Sequence, residues 1–204
     1  MRVSAVSFLN TWPLVWGFLE GPQRGLYDFR FDLPAQCADA LGSGAADIGI
    51  VPCAELDRLG LDYLPDTLLL RNADRRSKPV MEEMLAVSDA CLIIGDPALA
   101  IEPADLPYEC LDLGTEWTAW TGLPMVFAVW AGKKQFLTPD VAKAFVDSCA
   151  YGMSHVDEMV ARATAERGFR ADLVRQYFTH YIQYDLTPRH IEGLELFRSY
   201  VRKL

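Results

Sequence analysis

The sequence is poor in positive charge. Lysine and arginine number 19 against 28 aspartates and glutamates, a formal net charge of −9. Phosphate backbones are held by clustered Lys and Arg, so this balance argues against a nucleic-acid partner. The one dense basic run, Arg71, Arg75, Arg76 and Lys78, is short and reads as a solvated loop. An acidic balance leaves room for a small anionic ligand, because helix N-termini and backbone N–H groups bind carboxylates. Histidine is scarce: His155, His180 and His190 stand at no ligand spacing from one another or from cysteine, so no metal is expected. The five cysteines, Cys37, Cys53, Cys91, Cys110 and Cys149, are scattered, odd in number and without a C-x-x-C pair. That usage fits buried reduced thiols better than a disulfide framework. No G-x-S-x-G, local cysteine-protease signature, Walker loop or Rossmann loop occurs, which argues against hydrolase and nucleotide-binding readings. No run approaches the roughly 20 apolar residues of a membrane span. Asn10, Thr11 and Pro13 interrupt the apolar N-terminus and no clean cleavage site follows, so a cytoplasmic protein without a signal peptide is expected.

What is present is an apolar chain with α/β order. Hydrophobic residues make up 51% of 204, enough for one good-sized domain or two small lobes. RVSAV (2–6) reads as a strand, and Pro13 to Glu20 carries apolar residues at helical spacing. YDFRFDL (27–33) alternates like a half-buried strand, a helix opens at Pro34, and ADIGIVP (46–52) is a short apolar strand. This β-α-β-α-β order is that of a wound sheet. Further on, a helix is expected from about Pro79 to Val87, and buried strands at ACLIIGDPAL (90–99) and YECLDL (108–113). A short helix and turn at TEWTAWTG (115–122) and a strand at PMVFAVWA (124–131) follow. From Thr138 the chain reads as helices over about 138–152, 154–167, 171–182 and 188–203. Thr138-Pro139 and Thr187-Pro188 each put a capping residue before a proline in the first turn.

Polar residues gather at the ends of the apolar strands. In "AVSFLNTWPL" (5–14), Ser7, Asn10 and Thr11 sit between the first strand and the first helix. Asn10 and Thr11 either cap that helix or face a ligand. Pro52-Cys53-Ala54-Glu55 either stops the third strand and starts a helix or forms a cleft wall. Gly95-Asp96-Pro97 is either a turn or offers Asp96 as an acceptor. Trp117, Trp120 and Thr121-Gly122-Leu123-Pro124 either pack in the core or floor a cleft.

Four blocks together go further: "AVSFLNTWPL", "LPAQCADALGSGAADIGIVPCAEL", "LIIGDPAL" and "LDLGTEWTAWTGLPMVFAVWA". In this order they resemble the chorismate dehydratase family of the futalosine route to menaquinone. The resemblance covers roughly residues 3 to 55 and 88 to 132. It implies an α/β, two-lobed fold like type 2 periplasmic binding proteins, with mixed sheets flanked by helices. Lobe 1 would comprise residues 1–66 and 133–204, and lobe 2 residues 67–132. The second lobe is truncated against the family's pattern near 67–78. There LLLRNADRRS stands in place of a crossing strand and a Ser/Thr-rich loop. Either a stretch is missing from the sequence or the lobe is short. The implied activity is that of a hydro-lyase converting chorismate to 3-[(1-carboxyvinyl)oxy]benzoate, with no cofactor or metal. Asn10 would hold the reacting end of the substrate, and Ser7, Thr11, Pro52, Asp96, Thr121, Gly122 and Leu123 would line the site. Chorismate is the expected partner, without nucleic acid or membrane, for a monomer or weak homodimer. The rival readings are a non-catalytic solute-binding or sensor protein of the same fold, and the sister 1,4-dihydroxy-6-naphthoate synthase.

Overall fold

Strand β1 (Arg2–Val6) is nearly all buried, and its carboxyl end leads through a 3-10 turn (Leu9–Thr11) into helix α1 (Trp12–Leu19). The computed structural model describes residues 1–64, 78–99 and 107–204, with the backbone alone for 78–80. The chain continues through β2 (Asp28–Asp32), α2 (Pro34–Gly42), β3 (Ile48–Pro52), α3 (Glu55–Leu59) and β4 (Asp62–Tyr63). Helices α4 (Lys78–Leu85), α5 (Asp96–Leu99) and α6 (Leu113–Thr121) precede β5 (Ala128–Gly132). Four helices close the chain: α7 (Pro139–Ser154), α8 (Val156–Arg167), α9 (Ala171–Gln176), which runs on into a π-helical turn (Tyr177–Tyr181), and α10 (Pro188–Val201).

Among the described residues, five strands form one mixed sheet in the order β2-β1-β3-β5-β4. β1 runs parallel to β2 and β3, whereas β5 is antiparallel to both β3 and β4. Side chains alternate across a strand, so the sheet feeds two cores. Ile48, Ile50 and Trp130 join the α1, α7, α8 and α9 side, where Phe18, Tyr27, Phe29 and Phe145 pack edge to face and in tilted pairs. Val51, Val129 and Ala131 join the α2, α3 and α10 side. Helix starts follow local chemistry. The Thr138 hydroxyl accepts from Val141 N at 3.4 Å, and Asp112 caps α6 by accepting from Thr115 N at 2.6 Å. Gln36 reaches back to accept from Leu33 N at 2.9 Å.

Three expected strands need correction. Residues 90–95 form no strand, and α5 begins at Asp96. Leu92 and Ile94 are 66% and 44% exposed, the alternation of an extended segment with no ladder partner among the described residues. YECLDL (108–113) likewise forms no strand, with Leu111 and Leu113 exposed and α6 starting at Leu113. In PMVFAVWA the strand begins only at Ala128, opposite Pro52 at the end of β3, and just before it Cys53 N donates to Phe127 O at 2.9 Å. The basic positions Arg71, Arg75 and Arg76, and the stretch near 67–78 except for Lys78 at the start of α4, lie outside the described residues.

On the α10 side, Arg198 grips Asp57 of α3 with two bonds of 2.7 and 3.0 Å, and Arg202 adds one of 2.8 Å. The Arg198 fork, opposed by partial burial and helped by Arg202, holds the Asp57 carboxyl down at about 2 against an ordinary 3.8. A depressed carboxylate stabilises the fold above its ordinary pKa, and that share disappears as pH falls from about 4 to about 2. Asp57→Asn should therefore lose about 1 kcal/mol at neutral pH, a figure discounted for solvent screening of this partly exposed group. It should also converge with the parent protein near pH 2. Thermal melts of both proteins from pH 7 to 2 check this, and parallel curves throughout would show that the pair contributes nothing.

Candidate active site

The carboxyl ends of β1 and β3 and the amino end of β5 lie at one edge of the sheet, since Val3 and Ser4 register with Ile48 and Gly49, and Pro52 with Ala128. In an α/β sheet this edge is where ligands are held. Ser7 N extends the ladder by donating to Asp32 O at 2.9 Å, after which Phe8 to Thr11 turns tightly, Thr11 N donating to Phe8 O at 3.1 Å.

The capping alternative for Asn10 and Thr11 does not hold. Neither the 3-10 turn nor α1 has a side-chain cap. Asn10 and Thr11 are 5% and 0% exposed, and the Thr11 hydroxyl donates to Asn10 Oδ1 at 3.4 Å. The Asn10 amide lies beside the hydroxyl of Tyr177, at the start of the π-helical turn. Burial and the nearby Asp96 charge push the Tyr177 phenol well above its ordinary range, so it stays protonated, while the Asn10 contact acts in the opposite direction. A polar pair buried in the turn and unused by the helix is a built feature of this edge.

Asp96 opens α5 directly behind the turn. Its Oδ1 accepts from Leu9 N at 2.7 Å and its Oδ2 accepts from Arg167 Nη1. Burial raises the Asp96 carboxyl, and the Leu9 amide and Arg167 pull it back. Both oxygens are thus engaged within the protein. Gly95 has φ +69°, and a Cβ there would meet the Phe8 ring at 2.5 Å, so only glycine fits between this segment and the turn. Arg167, the last residue of α8, also donates through Nη2 to Ser7 O at 2.9 Å and stacks over Trp12 at 5.1 Å.

The structure therefore brings Ser7, Asn10, Thr11 and Asp96 together and sets Pro52 on the neighbouring strand end. Thr121, Gly122 and Leu123 are bonded elsewhere. The Thr121 hydroxyl donates to Trp117 O at 2.8 Å and accepts from Leu123 N at 3.1 Å. Gly122 O accepts from Arg189 of α10, and Pro124 O would lie 2.3 Å from a Cβ at Gly193 of α10. Among the described residues no hydrogen bond joins 121–123 to the Asn10 turn. Trp117 is buried whereas Trp120 is exposed and stacks on Tyr200. Arg167 and Tyr177 did not stand out in the sequence. The Arg-Gly step at 167–168 reads there as an ordinary basic helix end with a glycine after it.

Cys37 and Cys53 are placed as buried thiols rather than nucleophiles. Burial pushes the Cys53 thiol up to about 12 and the Cys37 thiol up to about 11, and Cys53 Sγ donates to Val126 O at 2.7 Å. His155 instead bonds Ser154 and Tyr151 O. Among the described residues no group of His, Cys, Asp and Glu is arranged to hold a metal, and no helix is long and apolar enough to cross a membrane. A separate groove of about 520 Å³ lies between α7 and the 178–190 segment, lined by Cys149, Met153, Ile182, Tyr184 and His190 among others.

Solved structures define the class. A protein of Archaeoglobus fulgidus superposes with a TM-score of 0.69 over 99% of this chain and 96% of its own, at 13% identity. A Candida albicans gene product described as having the generic periplasmic binding protein fold gives 0.54 over 100% and 90%, at 16% identity. The mixed open sheet flanked by helices is the periplasmic-binding-protein fold. Residues 67–203 match the family model described as menaquinone biosynthesis, and the chain belongs to that family. The match begins after the Asn10 turn. A chorismate dehydratase of Thermus thermophilus is 31% identical over 131 residues, which cover 56% of this chain and 48% of the relative. The chain thus spans about half the length of that relative.

Proposed function

We propose that the protein is a chorismate dehydratase acting in the futalosine route to menaquinone. The observation that carries this reading is the Asn10 turn: a buried polar pair at the ligand edge of the sheet, uncommitted to helix capping. The family membership and the named relative support it.

The reaction removes a proton from the ring carbon bearing the enolpyruvyl ether and hydroxide from the neighbouring carbon. Water leaves and the ring becomes aromatic, which supplies the driving force. Such an elimination needs orientation and a field matched to the moving charge. Asn10 holds the reacting end through its amide, and Thr11, fully buried, orients that amide through its hydroxyl. Asp96 is engaged by Leu9 N and Arg167, and on this reading a carboxylate of chorismate itself accepts the ring proton. Ser7 and Pro52 shape the edge around it. Thr121, Gly122 and Leu123 belong to the approach to β5, and their contribution is to the wall of the site. The protein works in the cytoplasm, as a monomer or weak homodimer.

Mass spectrometry of chorismate incubated with the purified protein tests the reading. A product lighter by one water, formed faster than without protein, supports it. Tight chorismate binding with no product would instead favour a solute-binding or sensor protein. Inertness toward chorismate would reopen the sister 1,4-dihydroxy-6-naphthoate synthase reading.

A further inference from the structure

Arg167 touches the turn at both ends. Its Nη2 donates to the carbonyl of Ser7, the residue before the turn, at 2.9 Å. Its guanidinium lies 5.1 Å over the ring of Trp12, the residue after the turn. Its Nη1 holds Asp96, whose other oxygen accepts from Leu9 N at 2.7 Å in the middle. These three grips surround Asn10 without touching it. The arginine and Asp96 side chains are 30% and 16% exposed, so the pair is shielded enough to hold one geometry. Only a planar fork with several donors serves a carbonyl, a carboxylate and an aromatic face at once, which an ammonium does not. Arg167 stands at the C-terminus of α8, where a cation is favoured, and Gly168 (φ +71°) turns the chain away beyond it.

We infer that Arg167 is a positioning residue for the reaction, clamping the turn so that the Asn10 amide meets the substrate in one orientation. The inference rests on the reading that Asn10 contacts chorismate. A reacting group displaced by about 1 Å costs up to roughly a hundredfold in rate. Arg167→Gln should accordingly lower kcat by roughly ten- to a hundredfold while KM moves less than about threefold. Arg167→Lys, which keeps the charge opposite Asp96 but loses the fork, should fall between. In the free protein the Leu9 backbone amide, followed by NMR, should shift and exchange faster in Arg167→Gln.

Steady-state kinetics on chorismate and the amide spectra of all three proteins decide the matter. A kcat within twofold of the parent with an unmoved Leu9 amide overturns the inference. A raised KM at unchanged kcat also overturns it, because Arg167 would then be a substrate contact. If the parent protein leaves chorismate unchanged, the dehydratase reading fails, and the Leu9 amide alone decides whether Arg167 sets the turn. If Arg167→Gln does not fold, Arg167→Lys is judged by the same criteria.

Discussion

On the proposed dehydratase function, Asn10→Ala should abolish chorismate turnover, with kcat down at least about a hundredfold, the usual scale for losing one preorganised donor at developing charge. The melting temperature of this variant falls by only about 2–4 °C. The structural role of the side chain is modest: it accepts one long bond of 3.4 Å from Thr11 and lies beside Tyr177. Losing such a bond costs about 1 kcal/mol, and that converts to a few degrees in a chain of this size. The helix α1 is not uncapped by the change, because neither Asn10 nor Thr11 caps it. Chorismate consumption and a thermal melt on the same preparation separate the two effects. An unfolded Asn10→Ala would mean that the side chain is structural and that the assigned role is wrong.

Gly152→Ala should cost stability markedly. Gly152 lies on α7 where it crosses α1, and an added Cβ would stand 2.2 Å from Pro13 O and 2.9 Å from the Pro13 carbonyl carbon. These are backbone atoms, so nothing flexible yields. The contact is fixed nearby by Ser148, whose hydroxyl donates to Leu14 O at 2.8 Å and accepts from Phe18 N at 3.3 Å. Alanine gains about 1 kcal/mol in helix propensity over glycine. Overpacking against rigid backbone costs about 3 kcal/mol. The clash wins, with a net loss of about 2 kcal/mol and a melting temperature lower by about 4–8 °C. Pro13 follows the turn by two residues, so the displaced helix also moves Asn10, and kcat drops with stability. Denaturant unfolding and kinetics on Gly152→Ala check both. A more stable variant would mean that α1 and α7 sit further apart than they do here.

Much of the fold was legible because its signals are local. Pro13, Pro34, Pro139 and Pro188 mark helix starts, and α1, α2, α7 and α10 begin within a residue of them. The alternation of 27–33 and the apolar run at 46–52 are realised as β2 and β3. Helix and strand periods are written in neighbouring residues, so one chain segment reports its own state. The buried state of Asn10 follows partly from the same source, since a polar pair between an apolar strand and an apolar helix sits at the strand end.

What the sequence could not decide involved partners distant along the chain. LIIG and YECLDL have strand composition, yet a strand also needs a neighbouring strand to complete a ladder, and neither segment belongs to a ladder among the described residues. The Asp-Pro step at 96–97 reads as a turn, but packing turned Asp96 into the link between Leu9 and Arg167, 87 and 71 residues away. Thr121 and Leu123 bond each other and Gly122 O accepts from Arg189 of α10, 67 residues away, contacts that no local pattern announces. Local chemistry determined the elements and the polar turn. Only the tertiary structure decided which charges meet around that turn, because Coulomb and hydrogen-bond energies depend on distance in space rather than on separation along the chain.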